Sequence, residues 1–429
     1  MKHTHWYGLV LLLISLLGCA ELEQLGPDPS ESFIKFYGGP YDQEGRDIIE
    51  LLDGGFLMVG FTTSHNGGID KDIFVVRTDA SGNEIWSKHY GTPMLNEEAN
   101  ALVYNQVDQE IYIGGTVVNE ALNTSAMILA INENGDSLWS QSYHYNQTRP
   151  GSLSDDTYET IEDILLTSDR DLIFAGNFRR TVDGVEENQD TYLFKVDTQG
   201  RPVNPSSTSK QGWGSFRIWG FEGFDELIEI QGLPNEEVAV LGNTDFGERL
   251  QDNRNILFYT TNQFGVPTNT RTLGQGQVET ASAFFQNEDG TYILVGQVAG
   301  DSGIANGQVL WQEVDVNLAP MNEVEPIRLS MDNLSHVGGV ALTKDPSEES
   351  YWILGSARNA QSNSNDFFIV KTNENGQIDE SSLQVFGERG DAIGGKIIPS
   401  LRSELLIIGT VTFASNRMIS FIKTAKNES

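Results

Sequence analysis

Four mostly apolar residues followed by glycine recur seven times along this chain of 429 residues. They read FLMVG at Gly60, IYIGG at Gly115, LIFAG at Gly176, VAVLG at Gly242, YILVG at Gly296, YWILG at Gly355 and LLIIG at Gly409, at intervals of 54 to 66 residues. Self-similarity at such a period restricts the fold to an architecture of stacked units, none of which can bury its apolar face alone. Each unit carries four strand-like runs bounded by Gly, Asp and Asn. In the first unit, strand A is expected at about Arg46 to Leu52, and Asp53-Gly54-Gly55 turns into strand B at Phe56. Strand C follows over Asp72 to Asp79, and Ala80-Ser81-Gly82-Asn83 turns into strand D, Glu84 to Tyr90. The second turn returns as NENG at Gly135, DTQG at Gly200, NQFG at Gly265 and NENG at Gly376. Glycine suits that place because a short hairpin turn puts one residue at positive φ. No stretch has helical periodicity. The expectation is an all-β chain, a seven-bladed β-propeller of four-stranded blades.

The termini support a closed ring. The seventh unit has strands A to C, ending at Phe421-Ile422-Lys423, and almost no residues for strand D. Ser32-Phe33-Ile34-Lys35-Phe36-Tyr37-Gly38 matches Ile85-Trp86-Ser87-Lys88-His89-Tyr90-Gly91, the first unit's strand D with its glycine. The N-terminal strand is therefore expected to close the last blade, and the propeller to span residues 32–425. KTNENGQIDESSLQVFG around Gly376 resembles the delta-60 type of bacterial repeat, and DASGNEIW resembles the pattern of pyrroloquinoline-quinone-type propellers. Both resemblances imply a fold and no activity. Trp86 and Trp139, at equivalent places in strand D, read as packing between blades.

A formal net charge of -34 excludes the basic surface that nucleic acid demands. It equally disfavours adhesion to anionic lipid head groups. Residues 1–18 carry an apolar run, Leu9 to Leu17, that is too short to span a bilayer and reads as a signal peptide. It ends in Leu16-Leu17-Gly18-Cys19, which resembles the bacterial lipobox. That resemblance implies cleavage before Cys19 and acylation of it, palmitate included. Cys19 is the only cysteine, so no intrachain disulfide can form. Residues 19–31, acidic and proline-containing, read as a tether. Ala20 gives no inner-membrane retention signal, and Glu21 with Glu23 resembles the surface-export signals of Bacteroidota lipoproteins. A lipid anchor on the outer membrane is expected, on the periplasmic or, preferred here, the cell-surface side.

In a four-stranded meander the A-to-B and C-to-D turns share one face, and the longer B-to-C and D-to-A loops share the other. Variable loops on a rigid frame are where binding usually sits. The longest are Tyr143 to Asp156, Phe178 to Asp190, Pro202 to Phe224 and Thr244 to Asn253. They bring Tyr143, Tyr145, Arg149, Arg179, Arg180, Trp213, Phe216, Arg217 and Trp219, residue types that dominate recognition. These are candidates for a protein partner or a glycan, unless the rings merely fold the loops onto the blades. A second set is acidic. Glu44, Glu98, Glu159, Asp225, Glu279 and Asp391 stand 16 to 18 residues before their marking glycines. As a ring at the channel mouth they could hold Ca²⁺. The alternative, favoured by their repetition, is that each accepts backbone N–H groups of a nearby turn.

The four histidines beyond the leader, His65, His89, His144 and His336, show no HExxH or paired spacing for a transition metal. There is no nucleophile elbow and no phosphate loop. Two carboxylates without a local motif can still hydrolyse a glycoside. The sequence thus leads to a non-enzymatic surface lipoprotein that binds a protein or glycan, as an accessory of an uptake or secretion complex would. A glycan hydrolase and a structural scaffold are the alternatives.

Overall fold

The computed structural model describes residues 32–425, save 119–122, 146–155, 183–184, 204–212, 214–215, 247–253, 275–277, 301–302, 322–333, 360–361, 388–389 and 414. The signal peptide, Cys19, the tether and Arg149 lie outside the described residues. Among those described, all regular structure is strand apart from two short 3₁₀ turns.

A first strand, β1 (Phe33–Tyr37), is followed by repeated meanders. The first joins β2 (Gln43–Glu50), β3 (Phe56–Thr62), β4 (Asp72–Thr78) and β5 (Glu84–Tyr90). The second joins β6 (Asn96–Asn105), β7 (Glu110–Val118), β8 (Thr124–Asn132) and β9 (Ser137–Tyr143). In the third, β10 (Asp156–Glu159) and β11 (Asp163–Leu166) both pair with β12 (Leu172–Val182), then come β13 (Val185–Val196) and β14 (Arg217–Trp219). A parallel contact of Tyr158 with Thr124 links the second and third groups into one sheet. The fourth has β15 (Asp225–Gly232), β16 (Val238–Thr244), β17 (Asn255–Thr261) and β18 (Pro267–Leu273). The fifth shows β19 (Glu279–Gln286), β20 (Tyr292–Gly300) and β21 (Gly303–Val314) among the described residues. The sixth has β22 (Leu334–Lys344), β23 (Ser350–Asn359), β24 (Asn365–Asn373) and β25 (Ile378–Phe386). The last has β26 (Ala392–Pro399), β27 (Leu405–Phe413) and β28 (Asn416–Lys423). Its fourth strand is β1, antiparallel to β28 from Phe33 opposite Lys423 to Tyr37 opposite Ile419. The innermost strands β2, β6, β11, β15, β19, β22 and β26 touch in that order, and β26 touches β2. The architecture is a β-propeller, closed by strand pairing between the two ends of the chain.

The marking glycines have a steric cause. Opposite Gly60, strand β2 bulges between Gly45 and Asp47, and a Cβ on Gly60 would stand 1.7 Å from the carbonyl oxygen of Glu44. The same carbonyl approach occurs at Gly115, Gly176 and Gly296, at 1.9, 1.7 and 1.9 Å. A bulge aims the innermost strand at its neighbour, and only glycine lets the carbonyl in. The residue after the glycine then ties blade to blade. Asn177 Oδ1 accepts the N–H of Leu227 at 2.8 Å, Asn243 Oδ1 that of Ala281 at 2.8 Å, and Thr410 Oγ1 that of Gly45 at 3.1 Å.

The C-to-D turns hold the outer edge. Their glycines have φ of 69° to 76°, and each lies under an aromatic plate from the preceding blade. Phe33 covers Gly82, Trp86 covers Gly135, Trp139 covers Gly200, Trp213 covers Gly265 and Trp311 covers Gly376. A Cβ in such a turn would meet both an unfavourable φ and the ring above it. Because Phe33 meets a C-to-D turn while Gly39 sits by Ser64 of a B-to-C loop, β1 runs from the short-turn face to the long-loop face.

Candidate functional site

Four of the sequence-selected aromatic residues belong to this frame. Trp213 is buried over Gly265 and donates Nε1–H to the Gln263 carbonyl at 2.9 Å. Trp139 does the same to Thr198 at 3.0 Å, so Trp213 is the third blade's counterpart of Trp86 and Trp139. Tyr143 donates its hydroxyl to the Gly200 carbonyl at 2.9 Å, as Tyr37 does to Gly82 at 2.7 Å and Tyr90 to Gly135 at 2.6 Å. Tyr145 and Phe216 are buried in one cluster with Phe178, Tyr192 and Phe194. These four rings fold the long loops onto the blades.

The rest remain nearer the surface. Arg179 and Arg180 are half-buried on β12, with the Arg179 guanidinium 4.9 Å from the Tyr158 ring centre. Arg217 and Trp219 are half-buried on β14. Trp219 begins a row of rings: it packs on buried Tyr259 at 4.8 Å and on Phe221 at 5.0 Å, and Phe221 stacks on Phe246 at 4.4 Å and 28°. Phe224 and Phe246 are 47% and 40% exposed. The backbone beneath the row is pinned. Asp225 accepts the N–H of Phe221, and Asp245, in the adjoining B-to-C loop, accepts that of Phe224. Sequence reasoning chose the loops but missed Phe221, Phe224 and Phe246; an F-E-G-F spacing beside D-F would have been the signal.

The six acidic candidates do not share one face. Glu159, Asp225 and Glu279 stand opposite Phe178, Thr244 and Val298, two residues past the marking glycine. At that register the first two blades carry Gln43 and Glu97. Glu44 and Glu98 stand one residue further along the strand, and a shift of one turns a side chain to the opposite face. The buried set serves the D-to-A turns: Gln43 Oε1 accepts the N–H of Gly39 at 2.9 Å, Glu97 Oε1 that of Thr92 at 2.9 Å, and Glu159 Oε1 that of Tyr145 at 3.0 Å. Glu44 instead pairs with Arg46 at 2.5 Å and Arg417 at 2.7 Å, and Glu98 with Lys71 at 2.7 Å. Asp391 is exposed and accepts the Asn365 N–H at 2.9 Å.

The channel holds a charged layer that no motif announced. The positions opposite the residue before each marking glycine are Asp47, Ala101, Asp163, Glu229, Ala283, Ala341 and Lys396. Each acid reaches the next blade: Asp47 Oδ2 accepts the N–H of Leu102 at 3.0 Å, Asp163 Oδ2 that of Ile230 at 2.9 Å, and Glu229 Oε2 that of Phe284 at 3.1 Å. Lys396 Nζ lies 3.7 Å from Asp47 Oδ1. Burial pushes the carboxyl groups of Asp47 and Asp163 up and that of Glu229 to about 7, each partly offset by Lys396. Those same carboxylates hold the Lys396 ammonium above the ordinary lysine range. The cavity here is about 140 Å³, below the roughly 300 Å³ at which small-molecule pockets begin.

No protein-family model matches this chain, and no curated protein is similar to it. Solved structures do match. YCF48 bound to D1 peptide aligns with a TM-score of 0.50 at 10% identity, over 93% of this chain and 96% of that one. The polysaccharide lyase Uly1 gives 0.49 at 11% identity over 91% of both chains. The β-propeller domain of the Trilobed protease from Pyrococcus furiosus gives 0.47 at 12% identity, over 92% of this chain and 97% of that one. At such identities the likeness is one of fold alone.

Proposed function

We propose that this chain is a non-enzymatic, seven-bladed propeller, lipid-anchored through Cys19 to a bacterial outer membrane, that binds a protein partner or a glycan through its long-loop face. The observation that carries the reading is the row Trp219, Phe221, Phe246 with Phe224 beside it. Rings packed on one another over a hydrogen-bonded backbone present apolar area with little left to order on binding. An aromatic row of this kind takes the face of a sugar ring or the apolar side chains of a protein, a chemistry suited to an accessory of an uptake or secretion complex. Catalysis in the channel is the weaker reading, because its carboxylates are engaged by backbone N–H groups and by Lys396.

The test compares wild type with a Phe221→Ala, Phe246→Ala double variant and with Cys19→Ser. Wild type is expected to cross-link to a specific envelope protein, or to be retained on immobilised envelope polysaccharide. The double variant should lose at least about tenfold in binding, since truncating a central aromatic anchor commonly costs about 2 kcal/mol or more, while still melting in one cooperative transition, lowered by the loss of the Phe221 packing. Binding that survives the double substitution rejects the aromatic site. A Cys19→Ser protein still sedimenting with membranes rejects the anchor.

A further inference from the structure

His65 and His89 are 24 residues apart in sequence, and the first blade brings them together. His65 lies in the 3₁₀ turn of the β3-to-β4 loop, and His89 is the penultimate residue of β5. Their rings stand 4.1 Å apart, tilted by 32°. Between them at the start of β4 is Asp72, 2% exposed. One ligand atom each from His65, Asp72 and His89 lie within 4.8 Å of one another, the one such group among the described residues.

Two observations point beyond a chance cluster. Asp72 Oδ2 is buried and accepts no hydrogen bond, with His89 Nδ1 at 3.6 Å beyond hydrogen-bond reach. A buried carboxylate oxygen left so is costly without a cation. Apart from the two imidazoles themselves, the neighbouring charges do not supply one. Asp70 and Glu97 are also acidic, Glu97 Oε2 is likewise buried without a partner, and Lys71 is drawn away to Glu98 at 2.7 Å. The second observation is that the carboxylate is placed by the frame while the histidines are not. A Cβ on Gly91 would meet Asp72 Oδ1 at 1.8 Å, and Gly220, Gly274 and Gly387 leave the same room for Asp190, Asn255 and Asp366. Two residues before those glycines, where the first blade has His89, stand Ile218, Thr272 and Val385. The repeated unit fixes the acid, and this blade alone adds imidazoles to it.

We infer that His65, His89 and Asp72 bind a late first-row divalent cation, with Zn²⁺ as the first choice. Two imidazoles with one carboxylate suit Zn²⁺, Ni²⁺ or Cu²⁺, whereas Ca²⁺ and Mg²⁺ take oxygen ligands. Both histidines are exposed, so three protein ligands leave a coordination position open to solvent, as in sites that exchange a water for another donor. The site is at the long-loop end of the first blade, apart from the aromatic row, and does not depend on what that row binds.

The purified full chain is stripped with chelator and titrated by calorimetry with Zn²⁺, and separately with Co²⁺, whose visible absorption reports its ligands. One equivalent of Zn²⁺ is expected to bind, Co²⁺ to give the strong bands of a four- or five-coordinate site, and Tm to rise with Zn²⁺ concentration. His65→Ala and His89→Gln, both at exposed positions, should keep the metal-free Tm and weaken Zn²⁺ at least about tenfold, the loss that even an outer-sphere partner brings. Asp72→Asn should abolish the Co²⁺ bands. Absence of stoichiometric Zn²⁺ binding overturns the site, as does binding in His65→Ala and His89→Gln equal to wild type.

Discussion

Lys396→Met tests whether the channel layer is held by charge or by packing. The substitution keeps a flexible chain in the cavity and removes the ammonium that offsets Asp47, Asp163 and Glu229. An ion pair near 4 Å is worth about 4 kcal/mol at an effective dielectric of about 20. Removing one partner from a buried set costs about 3–5 kcal/mol, because the remaining charges are stranded. The Lys396 side chain is itself 34% exposed, so solvent screening places the expected cost at or below the lower end of that range, about 3 kcal/mol at pH 8, read from denaturant midpoints with unchanged slope. The sign of the pH dependence follows from Glu229. Its folded carboxyl, at about 7, lies above its ordinary 4.5, so the folded state binds the extra proton between those values. Stability from this group is fully present below the lower value and is lost as pH rises through the upper one. The window is worth at most about 3 kcal/mol at 1.36 kcal/mol per unit. Without Lys396 the three carboxyls rise further, so the variant should recover more than wild type on going to pH 5, and the deficit should shrink by at least half. A deficit equal at pH 8 and pH 5 would refute the electrostatic account, and one under about 1 kcal/mol at pH 8 would show the layer to be inert.

Two further outcomes follow from the frame. Gly60→Ala drives a methyl group against the Glu44 carbonyl and should cost at least the roughly 1–3 kcal/mol of overpacking; Gly232→Ala, with nothing within 4 Å, should be neutral, and equal thermal melts would sink the steric reading. Trp213→Ala should lower stability by about 3–5 kcal/mol, as for a buried aromatic ring, since it uncovers the turn at Gly265 and frees the Gln263 carbonyl. A calorimetric Tm within a degree of wild type would return Trp213 to the list of contact residues.

The fold was legible because its steric demands repeat. A close approach that needs glycine writes the same mark into blade after blade, and the closing strand repeats the pattern of β5 closely enough to be seen at the other end of the chain. The binding candidates were less legible because frame and site use the same residues. Trp213 and Tyr143 look like recognition aromatics until their partners, the carbonyls at Gln263 and Gly200, identify them as blade-edge plates. The acidic set blurred for a different reason: counting back to a glycine tolerates a slip of one residue, and in a strand that slip exchanges the turn-facing side for the other. The channel layer and the histidine cluster were invisible because each blade contributes one residue, or because partners 24 positions apart meet only across a hairpin.

The direction of β1 sets the face at which the chain enters the propeller. The chain enters the fold at Phe33, on the rim of the short turns, and crosses to the long-loop face by Gly39. The thirteen residues of the proposed tether, 19–31, reach at most about 45 Å. Under the proposed anchor on Cys19, the attachment enters at the short-turn rim, and the aromatic row and the paired histidines lie at the opposite end of the fold. A partner bound there would sit at the far end of the fold from the point of attachment.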